Sequence, residues 1–232
     1  MSETQAPDGI GDGPDVRPLP IDVVSDVMCP WCYIGKRRLE GALALLDKPW
    51  LDIRWRPYQL DPTLPAEGKD RTLYLNEKFG GAEKAATIYG QIEAAGADVG
   101  LDFRFADIKV SPNTLDAHRL IRWSSTTDEH DAVVEALFHA YFMEGRNIGE
   151  TTELVRIAED AGMDGALVGR LLAGDADRDL VQTEIATAQE MGIQGVPCFI
   201  LGNRFAVSGA QSPEVLANAI IQAANTPPDA VA

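Results

Sequence analysis

Cysteine is scarce in this 232-residue chain: Cys29, Cys32 and Cys198 are the whole supply. Three thiols cannot build the dense cross-linking of a small secreted scaffold. Histidine is as rare, and His118, His130 and His139 are scattered rather than clustered with the cysteines. No apolar run reaches the ~18 residues that a membrane span needs. Positive charge is short as well, 20 Lys and Arg against 36 Asp and Glu, for a net charge of −16. Such a chain repels phosphate backbones and anionic lipid surfaces, so neither a nucleic-acid nor a membrane partner is expected. The opening "MSETQAPDGIGDGPDVRPLP" has no basic start, apolar middle or small-residue cleavage site. It reads as a flexible tail over residues 1–20, not a signal peptide. The expected compartment is therefore cytoplasmic. There, a close cysteine pair points to metal binding or catalysis rather than to a structural cross-link.

What is present is a chain with 45% apolar residues, enough for a real core. "IDVVSDV" (residues 21–27) is β-branched and reads as a strand. In "CPWCYIGKRRLEGALALLDK", Ile34, Leu39, Leu43 and Leu46 recur at helical spacing, with Pro30 suited to the first helical position and Cys29 to the N-cap. "WLDIRWRPYQL" alternates and supplies a second strand. Helical patterns then dominate. One or two helices surround Gly80–Gly81, and one follows "SPNT". Another carries Val133, Val134, Leu137, Phe138, Tyr141 and Phe142 as one wide stripe. "TTELVRIAEDAG" and "ADRDLVQTEIATAQEMG" give two more. Strand character returns in "VPCFIL" and "RFAVSG", joined by a Gly202–Asn203 turn, before a last helix capped by Ser212 and Pro213. The expected class is α/β: strand-bearing parts at residues 21–61 and 193–225, a large all-helical insertion at 62–192, and a second tail at 226–232.

The pair Cys29-Pro30-Trp31-Cys32 sits where a strand gives way to a helix. Unpaired N–H groups and the positive end of the macrodipole favour a thiolate at that point, and the thiolate is the attacking species in disulfide exchange. Cys32, one turn inside the helix, is the more shielded thiol. Metal binding needs three or four ligands, and nothing in the sequence completes a set around Cys29, Cys32 and Cys198. Two inert core thiols are the plain alternative. The strand–C-P-x-C–helix setting favours redox chemistry over both. Pro197 opens a late strand, and X-Pro is the one common site for a cis bond. The dipeptide alone favours trans, whereas the company of the cysteine pair turns the expectation to cis, with the Val196 backbone facing outward to pair with a bound peptide.

"DVMCPWCYIGKRRLE", "WRPYQLDPTLPAEG", "PNTLDAHRL", "ALFHAYFMEGRNI", "GVPCFIL" and "VSGAQSPEVL" together resemble the thioredoxin fold in its DsbA-like branch, and within it the cytoplasmic FrnE-like subgroup. The resemblance runs from about Asp26 to about Leu216. It implies a thioredoxin-like mixed sheet with flanking helices, and a thiol–disulfide oxidoreductase or isomerase. Cys29 would attack, Cys32 would resolve, Pro197 would be the cis-proline and the insertion would form a lid. Two departures stand out. Cys198 follows the proline, where many relatives carry an aromatic or aliphatic residue. Val23 stands where some thioredoxin-like proteins bury an acid, six residues before the first cysteine, which leaves Asp26 as the nearest acid.

Trp31 is a candidate for packing on substrate, together with Val196 and Pro197. Lys36 and Arg37 read as solvated cations, Cys198 as a small core residue, Asn113 as an N-cap, and His118 as a hydrogen-bonded helix residue that the resemblance turns toward the site. No flavin or nicotinamide motif occurs, so no cofactor is expected beyond the cysteine pair, with glutathione a candidate thiol partner. The expected partners are protein or small-molecule disulfides and thiols, and a monomer and a homodimer fit equally. The competing enzyme class is a kappa-class glutathione transferase or a 2-hydroxychromene-2-carboxylate isomerase, which typically carries Ser in place of the first cysteine. A zinc-holding module is a third class. Metal analysis of protein purified under reducing conditions is expected to find no stoichiometric zinc; one zinc per chain with no titratable thiol at Cys29 would refute the redox reading.

Overall fold

The computed structural model describes residues 18–46 and 51–226; the amino-terminal tail up to residue 17, and positions 227–232 of the second tail, lie outside them. Strand β1 (Leu19–Ser25) leads into helix α1 (Pro30–Leu46) and strand β2 (Leu51–Pro57). β1 thus begins two residues before the expected strand, inside the stretch read as tail, and ends two residues earlier. Backbone pairing decides both limits: Leu19 already faces Leu51, and the ladder stops at Ser25–Pro57. β1 and β2 are parallel, which requires the α1 crossover between them. Strands β5 (Cys198–Leu201) and β6 (Phe205–Ser208) join antiparallel, giving the order β2-β1-β5-β6. Gly202 and Asn203 both take positive φ in the β5–β6 turn, the backbone a tight hairpin requires. The sheet is mixed, as expected of the α/β class.

Between β2 and β5 the chain forms α2 (Arg71–Phe79), α3 (Ala82–Ala97), α4 (Leu115–Ser124), α5 (His130–Phe142), α6 (Thr151–Asp160), α7 (Gly165–Ala173) and α8 (Arg178–Glu190). Gly80 ends α2 in the left-handed conformation, so the Gly80–Gly81 region separates two helices. The insertion is not wholly helical. A two-residue ladder, β3 (Lys69–Asp70) with β4 (Val110–Ser111), pins the start of α2 to the approach of α4. Helix α7 is unforeseen from its sequence, because Gly165 and Gly169 weaken it. Tertiary partners compensate. Asp164 caps it through the Leu167 N–H, and the buried Arg119 guanidinium donates to the carbonyls of Leu171, Gly174 and Ala176. Helix α9 (Pro213–Asn225) starts with the expected Ser212 cap and packs on α1.

One face of the sheet contributes Ile21, Val23, Phe199 and Leu201 to the main core, where α1 and α9 add Tyr33, Ile34, Leu216 and Ile220. The opposite face buries Val24 and Cys198 against Ala188. The insertion docks on α1 through aromatic rings. Fully buried Tyr33 stacks on Phe138 of α5 at 5.0 Å, and its hydroxyl donates to Glu135 at 2.7 Å. Val133, Val134, Leu137, Phe138, Tyr141 and Phe142 are all fully buried, so the α5 stripe is core as read.

Gly35 is the tight point of this packing. A Cβ there would lie 2.8 Å from Pro197 Cγ and 3.4 Å from Phe199 Cζ. Gly35→Ala should overpack the contact at a cost of about 1–3 kcal/mol, against roughly 1 kcal/mol returned by helix propensity. A lowered urea midpoint with an unchanged slope is expected; an unchanged or raised midpoint would show that the Pro197 ring yields.

Candidate functional site

The site is built where β1 stops. Beyond Ser25 the chain turns through Asp26, Val27 and Met28 before Pro30 starts α1. The turn is held by its own backbone: the Cys29 N–H donates to the Asp26 carbonyl at 2.9 Å, and the Cys32 N–H to the Cys29 carbonyl at 3.0 Å. Cys29 therefore precedes the first helical residue, and Cys32 lies within the first turn. Both are free thiols, 4% and 1% exposed. Trp31 between them is 36% exposed, the one large apolar side chain at this helix start that faces out.

Asp26 is completely buried. Its carboxylate accepts from the Met28 N–H at 3.3 Å and the Leu60 N–H at 2.8 Å. It thereby ties the cysteine turn to the segment after β2. His118, on α4, reaches the same place: Nε2 lies 2.9 Å from the Tyr58 carbonyl and 3.6 Å from Asp26 Oδ1. Asn113 stands one residue before the α4 N-cap, which is Thr114. Its side chain still accepts the Leu115 N–H, accepts from Gln59 and donates to Leu64, so it joins α4 to the loop after β2.

Across from the pair, the Val196–Pro197 peptide is cis. The Cys29 thiol points at the Val196 carbonyl, 3.7 Å away. The structure thus brings Cys29, Cys32, Asp26, His118, Val196 and Pro197 to one region. Cys198 is not part of it. It pairs with Val24 and Ser208 and joins the cluster on the far face of the sheet, whereas its neighbour Phe199 faces the core that holds both Cys29 and Cys32. Strand alternation makes the separation: successive side chains point to opposite faces. Val23, in the place of the expected acid, is 1% exposed core.

Burial pushes the Cys32 pKa well above the ordinary thiol value, the adjacent Cys29 sulfur adds to the rise, and the Ser25 hydroxyl and Asp26 backbone oppose it. Burial also raises Cys198, against the Ser208 hydroxyl. Lys36 is not the solvated cation its position suggested. Its side chain is 3% exposed, with Nζ 2.5 Å from Glu40, 3.3 Å from Asp131 and 3.1 Å from Glu135. Burial works to lower its pKa, but the three carboxylates outweigh this and raise it. Its charge is spent on α5 rather than on Cys29. Arg37 likewise pairs with Glu40 and Glu135. From the insertion, Tyr89 comes near enough to Cys29 to feel its charge, while burial chiefly raises the Tyr89 pKa. Arg71 supports that ring, its guanidinium carbon 5.1 Å from the centroid. Sequence reading passed over Ser25, Tyr58 and Arg71; only the even spacing of Ser25 from Val23 marked it for the α1 face. Among the described residues no group of three or more His, Cys, Asp or Glu could hold a metal ion, and no helix is long and apolar enough to cross a membrane.

A family model described as a DSBA-like thioredoxin domain matches residues 20–221. Among solved structures, a probable DsbA oxidoreductase from Streptomyces coelicolor is 32% identical, with a TM-score of 0.82 over 90% of this chain and 92% of its own. A 2-hydroxychromene-2-carboxylate isomerase has a TM-score of 0.67 at 16% identity, covering 88% of this chain and 95% of its own. The cytosolic disulfide reductase DsbM of Pseudomonas aeruginosa, solved with glutathione, has a TM-score of 0.61 at 16% identity over 90% of this chain and all of its own. The last two show the fold alone.

At neutral pH Cys32 should stay protonated and resist alkylation in the folded protein, reacting only well above the ordinary thiol range or after unfolding; mass mapping of iodoacetamide adducts across pH checks this. The folded chain holds the Cys32 proton more tightly than the unfolded one. That contribution to stability is intact below ~8.5 and is lost as pH rises toward the folded value. Equal labelling of Cys29 and Cys32 at neutral pH would contradict it.

Proposed function

This chain belongs to the DSBA-like thioredoxin domain family, and on that footing we propose that it is a thiol–disulfide oxidoreductase working through Cys29 and Cys32. Cys29, at the open end of α1 and against the Val196 carbonyl, attacks a disulfide and becomes linked to the substrate sulfur. Cys32, directly beneath it, attacks Cys29 in turn and releases the substrate as a thiol. The observation that carries this reading is the asymmetry of two buried thiols: Cys29 precedes the helix and lies 3.7 Å from the Val196 carbonyl, while Cys32 lies in the first turn with a pKa that burial raises. Trp31 offers an apolar surface beside the entering disulfide. The Val196 backbone and Pro197 form the opposite wall, where an extended substrate segment pairs as an added strand.

The subgroup proposed is the cytoplasmic, FrnE-like one. In a reducing compartment the surrounding thiol pools keep the pair reduced, so reductase or isomerase work is favoured over net oxidation. Electrons then come from a small thiol. DsbM, a structural neighbour named as a cytosolic disulfide reductase and solved with glutathione, supports glutathione for that part. An intact Cys32 argues against the isomerase and transferase alternatives, which need no resolving thiol.

Cys32→Ser separates these readings. Turnover of a disulfide substrate should fall to background, and Cys29 should accumulate as a stable mixed disulfide visible by mass spectrometry. Glutathione conjugation that survives the substitution, with disulfide turnover absent from the unsubstituted protein, would favour the transferase class instead. The reduction potential of the Cys29–Cys32 couple in a glutathione buffer then fixes the direction: below the cytoplasmic poise for a reductase, well above it for an oxidant or isomerase.

A further inference from the structure

Disulfide exchange through Cys29 and Cys32 leaves one step without a residue. Cys32 must shed its proton before it can attack, yet it is 1% exposed and burial holds the proton on. Val23 supplies no acid, and both oxygens of the Asp26 carboxylate are engaged by the Met28 and Leu60 N–H groups.

Two side chains around one cavity offer a route. Ser25 is 3% exposed, and its Oγ lies beside the Cys32 sulfur, within reach of a hydrogen bond that favours the thiolate and with no other partner. Ser25 lines a cavity of about 350 Å³ between β2 and helices α4, α5 and α8. His118 lines the same cavity. Its Nε2 is bonded to the Tyr58 carbonyl, which can only accept, so the neutral ring carries its hydrogen on Nε2 and keeps Nδ1 as an open acceptor. Asp26 Oδ1 lies 3.6 Å from Nε2, on the side of the ring away from Nδ1. The other charged or titratable groups lining the cavity are Asp52, Arg54 and Arg56 of β2, Arg122 of α4, His130 of α5 and Glu184 of α8. Of these, His130 is bonded through Nδ1 to the Ser124 hydroxyl, and burial lowers its pKa. It is therefore a poorer acceptor.

We propose that Ser25 and His118 form the proton relay of the resolving thiol across this cavity. The inference rests on the disulfide-exchange reading above. The cavity is polar and large enough for water. Ser25 Oγ accepts the Cys32 proton while passing its own to cavity water, which delivers a proton to His118 Nδ1. The Cys32 thiolate attacks Cys29 Sγ. The Cys29–Cys32 bond forms as the bond from Cys29 to the substrate sulfur breaks, and the substrate leaves as a thiolate that takes up a proton from solvent. The pair is oxidised by two electrons and the substrate disulfide is reduced to two thiols. His118 then returns its proton to solvent.

Stopped-flow reaction of the reduced protein, in excess, with Ellman's reagent resolves the two halves. The first thionitrobenzoate marks attack by Cys29, the second marks resolution by Cys32. In Ser25→Ala and in His118→Gln, which keeps an N–H for the Tyr58 carbonyl but cannot take a proton, the first phase should change far less than the second. The second should slow about a hundredfold at neutral pH, and the defect should shrink as pH rises and Cys32 ionises unaided. A second phase at the normal rate in both variants, after a normal first phase, overturns the relay and leaves the redox reading standing. No first phase in the unsubstituted protein overturns that reading itself. Should a variant fail to fold by circular dichroism, the remaining one and the unsubstituted protein in D₂O decide. A clearly slower second phase in D₂O is expected, and an unchanged one refutes the relay.

Discussion

The Asp26 carboxylate is the fixed point of this structure. A charged group with no exposure is costly unless hydrogen-bonded, and Asp26 meets the requirement only where two chain segments converge: Met28 from the cysteine turn and Leu60 from the segment after β2. His118 completes the junction from the insertion. The Asp26 carbonyl also holds the Cys29 N–H. The position of Cys29, the path of the chain leaving the sheet and the seat of α4 therefore share one anchor.

A second layer of packing keeps the insertion over the pair. Tyr33 of α1 is only one residue past Cys32, and its ring lies flat on Phe138. The polar edge of that contact joins Lys36 and Arg37 to Glu40, Asp131 and Glu135. A buried lysine with three carboxylates around it couples α1 to α5 and withdraws its charge from the thiols. What acts on Cys32 is then burial and the adjacent Cys29 sulfur, opposed by the Ser25 hydroxyl. This keeps the proton on Cys32, buried in the first turn of α1 beside a thiol that is itself 4% exposed.

Much of this was legible in the residues themselves. The β1–α1–β2 unit, the Gly-Asn hairpin and the buried stripe of α5 follow from periodicity and local backbone rules, because each is set by neighbours in the chain. The cysteine pair at a helix start was equally plain, since Pro30 and the preceding β-branched run fix it locally. Other features were not readable. Helix α7 has weak intrinsic propensity and stands because Arg119, from another helix, satisfies its last carbonyls. Lys36 looked like a surface cation because nothing nearby in sequence shows that α5 will cover it. The β3–β4 ladder joins residues about forty apart, beyond any local pattern.

The sequence by itself placed two thiols in one helical turn at the end of a strand, Cys29 before the first helical residue and Cys32 within the helix, in a chain of net charge −16. Tertiary structure decided which groups surround them. It set Cys198 on the opposite face of the sheet, brought the Val196 carbonyl to Cys29, and opened a cavity between Ser25 and His118. The physical reason is range. Turn geometry and periodicity act over a few residues, whereas burial, proton affinity and the partners of a charge depend on segments that meet only once the core has packed.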